Sequence, residues 1–341
     1  MRASFWIDAG PRTGGGHVAR AESLAAALAP FGIHSTLVAD DASAVRSAGS
    51  DRFEATDLPE AGFAAACRAQ AADVAVVDLP HTRPADPREL AALSSAGIAT
   101  VAFDASDPTR SQCDLWVDAV ADGATPLPPR VRGLLGPRYA VLREGLGPSR
   151  SPQPREAGEP VRILVGFGAA DPARLTARAL RALAPLGAQV SVDVLVGPLV
   201  PDEVADDIAL AADALPRVRL HEKVRNPLDL LQSTQLGVFA FGNLFLEAAA
   251  CGVAAVLWHP SGAHAEVSER FARHFEVSPA VDVGAAGERS DPRSDVELCD
   301  AIEGLLRDPV RRSALSKAAR RAVDGRGAER VATAIARLAG S

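Results

Sequence analysis

The chain has 341 residues, enough for two domains of ordinary size, and 48 % of them are hydrophobic, so each domain can bury a core. Its formal net charge of −7 excludes a general binder of nucleic acid or anionic membrane. Cys67, Cys113, Cys251 and Cys299 lie far apart and share no metal-ligand or C-x-x-C spacing, so neither a metal site nor a redox pair is expected.

The N-terminus, MRASFWIDAG, lacks the apolar region of a signal peptide, and no apolar run reaches the roughly 18 residues of a membrane span. These features predict a soluble cytoplasmic protein, monomeric or a small homo-oligomer. No cofactor is implied.

In chain order, short apolar β-branched runs alternate with helical patterns. ASFWIDAG, HSTLVAD, DVAVVDL, ATVAFDA and LWVDAV read as strands. Val18–Ala29, Gly62–Ala71 and Pro87–Ala96 read as helices between them. The first helix carries Val18, Ala21, Leu24, Ala25 and Leu28 on one face. Strands apolar throughout and spaced by helices predict a parallel sheet covered on both faces.

GLGPSRSPQPREAGEP then breaks every periodicity. After it the alternation restarts, with VRILVGFG, QVSVDVLVG, RVRLHEK, LGVFAFG, AAVLWHP and AVDVG as strands and a helical end from Asp295 to Ala339. The predicted fold class is α/β: two Rossmann-like, doubly wound parallel-sheet domains facing a cleft. The expected boundaries are 1–145, a linker over 146–160, and 161–341. In such sheets ligands bind beyond the carboxyl ends of the strands, at helix N-termini.

The first such place is GGGHVAR, Gly14 to Arg20. Free backbone N–H groups and the helix dipole attract anions there, and glycines let a ligand approach the backbone. The loop from Asp8 is long for a dinucleotide fingerprint, and Asp40 and Asp41 resemble its ribose acid only loosely. Gly14, Gly15, Gly16 and Arg20 are therefore candidate phosphate-binding groups. His17, at a helix start that disfavours imidazolium, is a candidate general base. The alternative is a histidine that only caps the helix. Asp8 is the candidate to orient it or to hold a sugar hydroxyl.

IDAGPRTGGGHVAR resembles the N-terminal motif of the PseG family, D-x-x-x-x-x-G-x-G-H-x-x-R. VVDLPH, VAFDASDPTRSQCDLWVDAV, LLGPRYAVLR and ILVGFGAADP are similar to later segments of the same family. The resemblance implies a UDP-sugar hydrolase of the pseudaminic acid pathway, related to MurG glycosyltransferases and built on the GT-B fold. It implies that the second domain grips the nucleotide through VFAFGNLFLEAAACG, where Gly242 and Asn243 open a helix and Glu247 binds the ribose. Read without the resemblance, Asn243 caps that helix, Glu247 complements its dipole, and Gly252 stands just past its end. Gly168, in GFGAADP, is a further phosphate-lining candidate, and Asp171 lines the same turn or caps the next helix.

The chain departs from the family in two places. Phe241-Gly242-Asn243-Leu244 stands where relatives carry a Gly-Gly-Ser-Thr type turn, and Ser261-Gly262-Ala263 stands where they carry Glu-Asn-Gln. Asp78, His259, Ser261 and His264 complete the candidate sugar pocket. The expected reaction is hydrolysis of a nucleotide-sugar, with His17 activating water and no metal. The alternatives are a glycosyltransferase using the same donor site and a non-catalytic sugar-nucleotide binding protein.

Overall fold

A computed structural model describes residues 1–8, 15–47, 53, 55–80, 83–104, 107–121, 125–146, 158–224, 226–287 and 293–340. Gly14 and most of the expected linker lie outside the described residues. The chain divides into two compact units, residues 1–145 with 325–341, and residues 146–324.

In the first unit the strands are β1 (Arg2–Ile7), β2 (His34–Ala39), β3 (Ala55–Asp57), β4 (Val74–Asp78), β5 (Ala99–Phe103), β6 (Leu115–Asp118) and β7 (Arg132–Leu135). The helices between them are α1 (Gly16–Leu28), α2 (Ala42–Ser47), α3 (Phe63–Ala69), α4 (Pro87–Ser95) and α5 (Asp107–Arg110). The order across the sheet is β3-β2-β1-β4-β5-β6-β7. Every adjacent pair is parallel. The alternation of apolar strands with helices produces this arrangement, because a parallel partner is reached only through a crossover. The direction of winding reverses between β1 and β4. Such a switch point is where doubly wound sheets bind ligands, beyond the carboxyl ends of the strands.

One face of this sheet packs Phe5, Ile7 and Val76 with Val18, Leu24 and Leu28 of α1. The other packs Trp6 and Val77 with Phe63 and Leu90. The short β3 and β7 escape the sequence pattern, since three- and four-residue edge strands carry too few apolar positions to mark a period.

The second unit is built from β8 (Val161–Gly166), α6 (Leu175–Leu183), β9 (Val190–Val196), α7 (Asp202–Ala212), β10 (Val218–Glu222), α8 (Leu228–Ser233) and β11 (Leu236–Phe239). It continues through α9 (Asn243–Cys251), β12 (Ala254–His259), α10 (Gly262–Ala272), β13 (Val281–Ala285), α11 (Arg293–Arg307) and α12 (Pro309–Ala322). The order β10-β9-β8-β11-β12-β13 is again parallel throughout, with its reversal between β8 and β11.

One expectation is corrected. The final helix, α13 (Gly327–Ala339), belongs to the first unit and not to the second. Val331, Ala332 and Ile335 are buried in the same core as Leu24 and Leu28 of α1. A Cβ at Gly327 would stand 2.0 Å from the carbonyl oxygen of Ala140, so only glycine fits where the helix begins. The helical period of the tail identifies an apolar face but not the sheet that receives it.

Candidate active site

The switch point of the first sheet gathers the strongest chemistry. α1 begins at Gly16 after the N-cap Gly15, which has no side chain to cap it, so His17 is the second residue of the helix and not its cap. Its ring turns to the end of β4, where Nδ1 lies 2.7 Å from Asp78 Oδ1. Asp78 is 3 % exposed and is held further by Arg20, through Nε to Oδ2 at 2.8 Å and Nη2 to Oδ1 at 2.6 Å. The other side of the guanidinium donates from Nη1 to Asp104 Oδ2 at 2.5 Å, and the guanidinium lies 5.1 Å from the centre of the Phe103 ring.

Burial pushes the Asp78 carboxyl up, but Arg20 and then His17 outweigh it and hold the group well below the usual carboxylate range. Burial likewise works against the charge of Arg20, and Asp104 and Asp78 more than offset it, keeping the guanidinium charged. An ionised carboxylate can only accept hydrogen bonds, so His17 Nδ1 carries the ring proton. Arg20 Nη2, 3.4 Å from that nitrogen, is committed to its shorter bond with Asp78. The lone pair is therefore on Nε2, which has no partner among the described residues. An imidazole oriented by a carboxylate through Nδ1, with Nε2 turned to accept a proton, is the arrangement of a general base.

Two sequence assignments change here. Asp8 does not orient His17; its carboxylate lies 3.7 Å from Arg83, which also pairs with Asp40. Asp78 takes the orienting role because β4 is the direct neighbour of β1, with Ile7 in register with Asp78. Arg20 is not available to phosphate, because both sides of its guanidinium are bonded to carboxylates. Two carboxylates stand against the one guanidinium here, which disfavours a diphosphate at Arg20.

Asp104 is the site residue that sequence reasoning passed over. It follows β5 with φ of 43°, a conformation costly for a residue with a side chain. The one signal was an acid at the end of an apolar run, and ordinary strand ends share it.

The acidic arm of this network is testable. The native Asp78 carboxyl ionises below its unfolded counterpart. It therefore adds stability that is complete above the ordinary carboxylate range and is lost as pH falls through it toward the lower native value. Asp78→Asn is expected to lower the denaturation midpoint at pH 7, and the gap from the parent protein should narrow as pH is lowered from about 5 to about 3. Parallel chemical denaturation series check this, and a constant gap would contradict it.

At the switch point of the second sheet, the loops after β8 and β11 carry the predicted glycines. Gly168 has φ of 89° and open space where a Cβ would stand. Asp171 resolves its two readings in favour of capping. It is 2 % exposed and accepts from the N–H groups of Leu175 and Thr176 at 2.8 and 2.9 Å. Gly242 is the N-cap of α9, in extended backbone with open space beside it, and Asn243 is the first helical residue rather than the cap. Glu247 lies one turn further, 3 % exposed, and Gly252 ends the helix in the left-handed conformation.

Ser261 and His264 sit exposed at the start of α10, with Ser261 Oγ 2.8 Å from His264 Nδ1. His259 is a different case. It is fully buried, and both ring nitrogens have protein partners, so it does not line a sugar pocket.

Among the described residues no group of three or more His, Cys, Asp or Glu side chains is placed to hold a metal ion. No helix among them is long and apolar enough to cross a membrane.

No protein-family model matches the chain, and no curated protein matches it. Solved structures do. MurG of Acinetobacter baumannii superposes with a TM-score of 0.67 at 14 % identity, covering 99 % of this chain and all of that one. A UDP-glucosyltransferase from Polygonum tinctorium, in complex with 3,4-dichloroaniline, gives 0.63 at 14 % identity over 100 % and 99 % of the two chains. The UDP-GlcNAc 2-epimerase of Neisseria meningitidis, bound to UDP-GlcNAc, gives 0.57 at 10 % identity over 99 % and 100 %. With its two switched parallel sheets of seven and six strands, the chain has the fold of the GT-B glycosyltransferases.

Proposed function

We propose that this protein is an enzyme acting on a UDP-sugar, and that it cleaves the bond between the anomeric carbon and the diphosphate by hydrolysis. The observation that carries the reading is the His17–Asp78 pair, in which a buried carboxylate 2.7 Å from Nδ1 leaves Nε2 as a proton acceptor. In this mechanism Nε2 takes a proton from water and the water oxygen bonds to the anomeric carbon. The bond to the diphosphate oxygen breaks with its electron pair, releasing UDP and the free sugar. Asp78 stabilises the imidazolium that forms. A single displacement of this kind inverts the anomeric carbon.

The diphosphate is assigned to the second unit's turns at Gly168, Gly242 and Asn243. Backbone N–H groups at the start of a helix favour the developing charge there. Glu247 is assigned to the ribose. Gly15 and Gly16 leave the backbone beside His17 accessible to the sugar.

Three neighbours of this fold are named for UDP-glucose transfer, for UDP-GlcNAc epimerisation and as MurG, which supports a UDP-sugar as substrate. The resemblance of GGGHVAR to the PseG motif supports water as the nucleophile. One observation favours a second reading. Ser261-Gly262-Ala263 stands where the family carries Glu-Asn-Gln, with the exposed Ser261–His264 pair in the same loop, and with an acceptor hydroxyl there in place of water the protein is a glycosyltransferase using the same base.

Incubation with a panel of UDP-, GDP- and CMP-sugars, followed by mass spectrometry of nucleotide and sugar, separates these readings. UDP release in water alone supports hydrolysis. Release only with an added acceptor supports transfer. Binding without turnover of any sugar would overturn both.

A further inference from the structure

His259 ends β12 in a place where the sheet changes partners. β11 and β12 pair in register as far as Phe239 and Leu257. Beyond that, the chain passes through Phe241 and Gly242 into α9, and the ladder with β12 stops. On the other side of β12 the register with β13 shifts between Leu257 and His259, and the His259 carbonyl accepts from the N–H of Ala286 at 2.7 Å. Such an irregularity re-aims the side chain at the strand end.

The re-aimed imidazole takes over from the lost ladder. The backbone N–H of Phe241 donates to His259 Nδ1 at 3.3 Å. An amide N–H is always a donor, so Nδ1 must be the bare nitrogen and the ring proton must sit on Nε2. That N–H faces Asp282, whose two oxygens lie 3.0 and 3.1 Å away. Asp282 also accepts from Ser268 Oγ at 2.5 Å and from the Gly284 N–H at 2.8 Å. A continuous chain of hydrogen bonds thus runs from α10 and β13 through a fully buried ring to the residue before Gly242.

We propose that His259 is the positioning residue of the nucleotide-binding turn. Its Nδ1 fixes the Phe241 amide, and so the course of the backbone through Gly242 and Asn243, while Asp282 and Ser268 fix the tautomer that allows this. The functional consequence rests on the reading of that turn as the diphosphate site. The hydrogen-bond assignment stands apart from it.

Two isosteric variants divide the roles of the ring. His259→Asn places an acceptor near Nδ1 and gives up Asp282. His259→Gln places a donor near Nε2 and gives up Phe241. UDP titration by calorimetry and exchange of the Phe241 amide are measured on the parent and both variants. The Gln variant is expected to bind UDP about tenfold more weakly and to exchange the Phe241 amide faster, because a backbone donor has lost its acceptor. The Asn variant is expected to stay near the parent in both.

Equal UDP affinity and equal exchange in all three proteins would overturn the proposal. If the parent does not bind UDP, the functional reading of the turn fails, and amide exchange still decides the role of His259. Nitrogen-15 spectra of the imidazole in the parent protein need no variant: an Nε2–H tautomer supports the assignment, and an Nδ1–H tautomer refutes it.

Discussion

Replacing His17 by alanine lowers turnover of the UDP-sugar at least about a hundredfold while leaving the fold intact. The size follows from the task of the ring, since a positioned general base contributes roughly 10²–10⁴ in rate. The fold should survive because the imidazole is at the edge of the site, 16 % exposed, and removing it takes one of several partners from Asp78. Asp78 would keep both bonds from Arg20. Steady-state kinetics on the His17→Ala protein, with circular dichroism as the control for folding, measure the effect. Near-parental turnover would end the assignment of His17 as base. A loss seen only in KM, with kcat unchanged, would make the ring a binding group instead.

Replacing Arg20 by methionine destabilises the first unit by about 3–5 kcal/mol, the usual cost of leaving one member of a buried ion pair without its counter-charge. Methionine keeps much of the side-chain volume against Phe103, so loss of charge and hydrogen bonding dominates over loss of packing. The stranded groups are Asp78, 3 % exposed, and Asp104, which is 39 % exposed and can recover water. Chemical denaturation of the Arg20→Met protein gives the number. A second expectation follows from the same geometry. Without the guanidinium the Asp78 carboxyl ionises less readily, so the variant that does fold should need a higher pH to orient His17. A loss below about 1 kcal/mol would place Arg20 among exposed pairs of little energetic weight.

The switch in role of Arg20 illustrates where sequence reasoning stops. A basic residue one turn after a glycine-rich helix start looks available to phosphate. Nothing local signals that a carboxylate 58 residues later will claim it. The pairing exists because β4 lies beside β1 in the sheet, a consequence of winding order and not of spacing along the chain. The same holds for Asp8, which neighbours His17 in sequence terms and yet lies by Arg83 in space. For His259, a histidine at the end of an apolar strand looked like a pocket residue. Its burial depends on a shift in register with β13 and on the course of β11, neither of which leaves a local mark.

The helical tail divides in the same way. Its helical character was legible, but which core receives Val331 and Ile335 was not. An amphipathic helix specifies that one face will be buried, and any apolar surface of suitable width satisfies that demand. What the sequence by itself determined is the set of alternating strands and helices, the parallel character of both sheets, and the presence of His17 and Gly242 at helix starts. These follow from local period and from glycine placement, which act over a few residues. What only the tertiary structure decided is which partners the polar side chains choose: Asp78 for His17, Asp104 for Arg20, the Phe241 amide for His259. Those choices are made across strands distant in sequence, where burial turns a weak surface attraction into a fixed pair.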